Sequence, residues 1–205
     1  MGYGILSESY LARARKQLDE GTLESLFYAA FELRCGVEAR LHQYIEAYKR
    51  VALMKKRKWR IPELVEDLKK AIEAGEFPAG DKVVRIDIVG DKEGNIRATF
   101  YYTPVTSKLC QMAGKVGNLM HHPQVYRNSH DTWWTETRTF LEEMYVELTK
   151  ASQGTAIGLP LLNIEERTAS LMFEIEGEAV EEKLNKIGKV GEILIVETHY
   201  VDELP

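Results

Sequence analysis

Residues 22–50, TLESLFYAAFELRCGVEARLHQYIEAYKR, decide the fold class of this chain. Leu23, Leu26, Phe27, Ala30, Val37, Leu41, Tyr44, Ile45 and Tyr48 recur at spacings of three and four. That is the period at which side chains line one face of an α-helix. Thr22 supplies a side-chain oxygen for the exposed N–H groups of the first turn, so one long amphipathic helix is predicted from Thr22 to about Arg50. Upstream, Leu6, Tyr10, Ala14 and Leu18 fall four apart and Gly21 follows as a stop, which predicts a first helix over 6–20. Downstream, Pro62 suits the first turn of a third helix and Gly75 its end, with Leu64, Val65, Leu68 and Ile72 on the apolar side. The stretch 1–77 is therefore expected to be helical.

The pattern then changes to period two. KVVRIDIV and NIRATFYY, separated by the turn-forming GDKEGN, predict an antiparallel hairpin over 82–103. Helices are expected across 106–151. Thr106 caps the first, which carries Leu109, Met112, Val116 and Leu119 and ends by His122, before Pro123. In it, Gly114 and Gly117 leave room for another backbone. Ser129 or Asp131 caps the second, with Trp134, Thr137, Leu141, Met144 or Tyr145, and Leu148 turned inward. SQGTAIGLPLLN reads as a loop. Over 167–202, two strands, TASLMFEIEG and EILIVETHYV, flank the short helix EAVEEKLNKIG. The expectation is one α+β domain over 1–205, helix-rich, with a small antiparallel sheet of about four strands.

Composition is that of a globular chain: 205 residues, 44% hydrophobic, 29% charged and a net charge of −5. An acidic molecule is not as a whole an electrostatic trap for nucleic acid. Locally, Lys49, Arg50, Lys55, Lys56, Arg57, Lys58 and Arg60 form a basic run, readable as a solvated connector or, with Trp59, as a phosphate-contacting platform. Cys35 and Cys110 lack zinc or redox spacing and read as buried thiols in a reducing compartment. With no signal-peptide pattern and no apolar run of membrane-spanning length, a cytoplasmic location without membrane contact is expected. The final DELP does not end in the Leu that an ER-retention signal requires.

Two polar constellations could carry chemistry. On the long helix, Arg34, Glu38 and His42 lie four apart along one side, and Arg34 turns into the apolar stripe, where a partner is required. They are read as an internal ion pair that fixes packing, as an anion- or substrate-binding cleft in which Glu38 or His42 serves as base, or as fully solvent-exposed. The second constellation holds three of the five histidines within ten residues: His121, His122 and His130, accompanied by Arg127 and Asp131. Acid–base work on a phosphodiester by these histidines, with Arg127 on the developing charge, is one reading. A polar connector with a helix cap is another. No HExxH or Cys-based spacing specifies a metal site, and no cofactor is expected.

The run YLARARKQLDEGTLESLFYAAFELRCGVEARLHQYIEAY, residues 10–48, resembles the paired helices of HEPN-type proteins, with their "A..L..G....A...A....E..L" spacing. LCQMAGKVGNLMHH, residues 109–122, is similar to a second helical stretch of that family, where an Arg followed after four to six residues by a His supplies the ribonuclease site. Here Lys115 stands in place of Arg, with five residues between it and His121, while Arg127 and His130 are separated by two. The resemblance implies metal-free RNA binding or cleavage in a toxin–antitoxin or antiviral setting. His121, His122, Arg127 and His130 are then the candidate catalytic group, and Arg34, Glu38, His42 and Lys115 the candidate anion-binding group. Two other functions suit the same residues: a non-catalytic subunit that recruits a protein partner or a second copy of itself, and a metal-dependent phosphohydrolase.

Overall fold

The computed structural model describes residues 4–47, 60–74, 80–90, 94–120, 127–163, 168–173, 180–188 and 194–205. Helix α1 (Ser7–Glu20) ends at Gly21, whose φ of 75° is a left-handed conformation that glycine adopts without steric cost. The chain thus reverses within two residues into α2 (Leu23–Ala47), and Thr22 accepts the Ser25 N–H at 3.1 Å, as its position predicts. Leu6 only precedes α1 and is exposed, so the inward face of that helix starts one turn later, with Leu11, Ala14 and Leu18.

Helix α2 is the spine. It packs against α1, against α3 (Ile61–Ala74), and against α4 (Ser107–Leu119) and α5 (Thr132–Ser152). Leu26, Ala30, Val37, Leu41, Tyr44 and Ile45 are buried as the periodicity demands, joined by Leu33. Phe27 departs from the pattern, sitting at the rim more than a third exposed, Leu23 is half-buried, and Tyr48 lies outside the described residues. Leu64 and Leu68 of α3 enter the same core.

Thr106 caps α4 by accepting the Leu109 N–H, and Asp131, rather than Ser129, caps α5 by accepting the Trp133 N–H at 2.9 Å. On α5 the inward position is Met144, while Tyr145 is half-buried.

Strands β1 (Val83–Gly90) and β2 (Ile96–Tyr102) form the expected hairpin, with a register shift between Ile88 and Val89. Strand β5 (Leu194–Val201) pairs antiparallel with the other edge of β1, giving the order β2-β1-β5. Val84, Ile86, Ile88, Phe100 and Tyr102 turn one face of this sheet onto the helical core.

The α+β architecture is as expected, but the sheet is not one of four strands. Only Thr168–Ser170 of the TASLMFEIEG segment is a described strand, β4, and it pairs with β3 (Leu161–Asn163) in a separate two-stranded ladder. Part of the expected loop is therefore strand. The reason is that alternation marks a strand without naming its partner. Helix α6 (Val180–Ile187) leads into β5 and touches β2.

Candidate functional site

The polar ladder on α2 begins as an ion pair. Arg34 Nε lies 3.1 Å from Glu38 Oε1, and both side chains are about four-fifths buried, at 18% and 21% exposure. Arg34 also crosses to α4. A methyl group added at Gly117 would collide with its Nη1, so Gly117 is the seat on which the guanidinium rests. What the glycine accommodates is thus a side chain and not a neighbouring backbone, and among the described residues nothing comes within 4 Å of a methyl group added at Gly114. Gly117 is four residues before His121 in the sequence. His42 is half-buried, but it follows Arg34 by eight residues, roughly 12 Å along the axis at 1.5 Å per residue, and so does not join it. Lys115 is exposed on α4.

At the far end of the connector, Arg127 Nη1 lies 3.6 Å from Asp131 Oδ2, and its guanidinium is 4.5 Å above the ring of Trp133. Trp133 meets Trp134 edge-on at 4.8 Å, and Trp134 meets Phe27 of α2 edge-on at 5.9 Å. The Trp134 indole N–H donates to the Asn128 carbonyl at 2.8 Å and fixes the turn. His130 is exposed on that turn, its backbone N–H bonded to Asn128 Oδ1. His121 and His122 lie outside the described residues, as do all but Arg60 of the basic run. Among the described residues no three His, Cys, Asp or Glu side chains form a group able to hold a metal ion.

Three features were not legible as sites. The first is Arg40, fully buried on α2, with no ion pair to a carboxylate among the described residues. Its Nε donates to the Ala151 carbonyl at 2.9 Å and to Tyr44 Oη at 3.0 Å, and its Nη2 to the Gly154 carbonyl at 2.9 Å. Ala151 lies in the last turn of α5, where carbonyls lack intrahelical donors and the helix dipole is negative, so the cation is held by the end of a helix. Tyr44 donates to the Thr103 carbonyl, and Thr103 Oγ1 donates to the Ala151 carbonyl at 2.8 Å and accepts the Gly154 N–H. Burial pushes the Tyr44 phenol up, which keeps it the donor this network needs.

The second is on the sheet face turned away from the core. Asp87, almost wholly buried, accepts from Arg85 Nε at 3.0 Å and Thr99 Oγ1 at 2.6 Å. His199 Nε2 stands 4.0 Å from Asp87 Oδ2 and 3.8 Å from Glu197 Oε2. The sequence signal was charged residues alternating within a strand, RID in β1 and ETH in β5. The third is a cavity of about 420 Å³ between α2, α3 and the start of α4, floored by Leu41, Leu68 and Tyr102. Asp81 at its edge already accepts the Ser107 N–H at 2.8 Å. Cys110 also borders it, and burial pushes that thiol up to about 11. None of the described site residues (Arg34, Glu38, His42, Lys115, Arg127 and His130) lines this cavity.

No protein-family model, curated protein or solved structure matches this chain.

Proposed function

We propose that this chain is a HEPN-like protein that binds single-stranded RNA where α2, α4 and α5 meet. The observation that carries the reading is Arg127 stacked over Trp133, at the head of an aromatic chain that runs through Trp134 to the rim residue Phe27. Bases stack on exposed aromatic rings without regard to sequence, and a guanidinium beside them meets the phosphate. Phe31, close to half exposed and one turn beyond Phe27, extends the apolar strip toward Arg34. The interface so drawn brackets the histidine connector from both ends, which accords with the resemblance of residues 10–48 and 109–122. Cleavage by His121, His122 and His130 with Arg127 is the stronger form of the same proposal, and the defence or toxin–antitoxin setting comes with the resemblance.

The test is fluorescence anisotropy with a mixed-sequence single-stranded RNA, in EDTA, at two salt concentrations. Trp133→Ala and Arg127→Ala should each weaken binding by roughly tenfold or more, since a stacked base is worth about 1–3 kcal/mol. Binding that is absent in the wild type, or unchanged in both variants, overturns the proposal. Gel analysis of the same mixtures with His121→Ala and His130→Ala separates cleavage from binding alone.

A further inference from the structure

The cavity between α2, α3 and the start of α4 has the dimensions of a small-molecule site: its volume of about 420 Å³ lies within the roughly 300–1,000 Å³ that such sites enclose. Leu41, Leu68 and Tyr102 on its floor are each at most 7% exposed, and Val65, Pro104 and Val105 continue the apolar lining. Side chains from α2, α3 and β2 thus converge on one apolar space.

Among the described residues, the charged groups that line it are Lys69 of α3 and Asp81, just before β1, both exposed to solvent. They border the same space, yet they form no ion pair with each other. Lys70, the neighbour of Lys69, pairs with Glu66 at 3.1 Å on the outside of α3. Asp81 Oδ1 accepts the Ser107 N–H at 2.8 Å and the Ser107 hydroxyl at 3.3 Å. These bonds fix the carboxylate at the rim and leave it acceptor sites, since an ionised carboxylate offers about four. Both charges are felt within the cavity: burial first pushes the Cys110 thiol up, Asp81 raises it further, and Lys69 draws it down.

A ligand of one charge is attracted by one of these two groups and repelled by the other. A zwitterion with an apolar body satisfies both charges and the floor together. We propose that this cavity binds a free α-amino acid with a large apolar side chain, its carboxylate on Lys69, its ammonium on Asp81 and its side chain against Leu41, Leu68 and Tyr102. The inference is independent of the RNA-binding reading, because Phe27, Arg127 and Trp133 do not line the cavity.

Calorimetric titration of the full chain with leucine, isoleucine, methionine, phenylalanine and tryptophan tests it. At least one of them should bind at millimolar concentration or below, and glycine, which lacks the apolar body, should not. For the amino acid that binds, the analogues lacking the ammonium or the carboxylate (for phenylalanine, 3-phenylpropionate and phenethylamine) should each bind roughly tenfold more weakly. Lys69→Ala should weaken the amino acid to a similar degree without weakening the amine analogue. Asp81→Asn, which keeps an acceptor for Ser107, should weaken the amino acid without weakening the carboxylate analogue. An analogue that still binds a variant shows that the variant folds. In a Cys35→Ser chain, the bound amino acid should slow thiol labelling of Cys110, which borders the cavity. Failure of all these amino acids to bind, analogues that bind as tightly as the amino acid, or Cys110 labelling unchanged at saturation would each overturn the proposal.

Discussion

Arg40 donates to the carbonyl of Ala151 at 2.9 Å, and this buried bond joins the middle of the spine helix to the last turn of α5. A buried cation is ordinarily matched by a carboxylate. Here the match is a helix terminus, a second carbonyl at Gly154 and the Tyr44 hydroxyl. The same device recurs at lower burial where Arg138 Nη1 donates to the Leu18 carbonyl in the last turn of α1.

Arg40→Leu should therefore destabilise the protein by about 3 kcal/mol or more, because the Ala151 and Gly154 carbonyls each lose a donor inside the core. Arg40→Lys should recover only part of that, since an ammonium cannot span the acceptors that a planar guanidinium reaches. Urea denaturation reads both. A lower midpoint at unchanged slope is the expected outcome, and a midpoint within error of wild type for Arg40→Leu would show the network to be dispensable.

Gly117→Ala carries two opposing terms. Removing a helical glycine gains up to about 1 kcal/mol, while the new methyl drives into the Arg34 guanidinium and strains its bond to Glu38. The substitution should be destabilising in the wild type and stabilising in an Arg34→Ala chain. A thermal double-mutant cycle reports the sign change, and additive effects would mean that Arg34 does not rest on Gly117.

Both thiols are pushed up to about 11, by burial first and then by nearby carboxylates, Glu38 for Cys35 and Asp81 for Cys110. At pH 8 each should react with a thiol-specific disulfide reagent about a hundredfold more slowly than a free cysteine, and faster with each unit of pH. Because the folded values are raised, the stability this confers is complete below the unfolded value near 9 and fades as pH climbs toward 11. Reagent kinetics in the native protein that match free cysteine would contradict the burial.

Arg15 makes a two-pronged contact with Glu142, 2.7 and 3.0 Å, and holds that carboxyl below its usual range. A lowered acid contributes stability above its unfolded value near 4.5, lost as pH falls through the folded value. Both side chains are over a third exposed, so screening keeps the gain under about 1 kcal/mol. Arg15→Met should flatten the fall of stability between pH 5 and 3 by roughly that amount, as measured by acid titration at low salt. An unchanged acid limb would show the pair to contribute nothing.

The spine helix was legible because its apolar face repeats through every turn, and Thr22, Gly21, Thr106 and Asp131 act at the ends they mark. The Arg34–Glu38 pair was legible too, since spacing of four fixes that contact within one helix. Arg40 was not: its two carbonyl acceptors lie 111 and 114 residues away, and no local pattern encodes a distant helix end. Nor was the assignment of TASLMFEIEG, whose alternation fits any partner that offers an apolar face. Of the candidate site, Arg34 and Arg127 sit at the two ends of one connector, His42 stands apart, and His130 is displayed on its turn. Asp87 escaped notice because a single acid in a strand gains its meaning from the neighbouring strands that supply Thr99 and His199.

The polar junction of Tyr44, Thr103, Ala151 and Gly154 also sets an order of events during synthesis. The α1–α2 hairpin closes through neighbours in sequence and can form soon after it leaves the ribosome. Arg40 and Tyr44 on that hairpin find their acceptors only when residues 103, 151 and 154 have followed. Until then the nascent spine carries a solvated charge on its inner side, which discourages premature burial against the wrong segment. Locking that charge into place is a late step, and it commits the hairpin, the sheet and α5 to one another together.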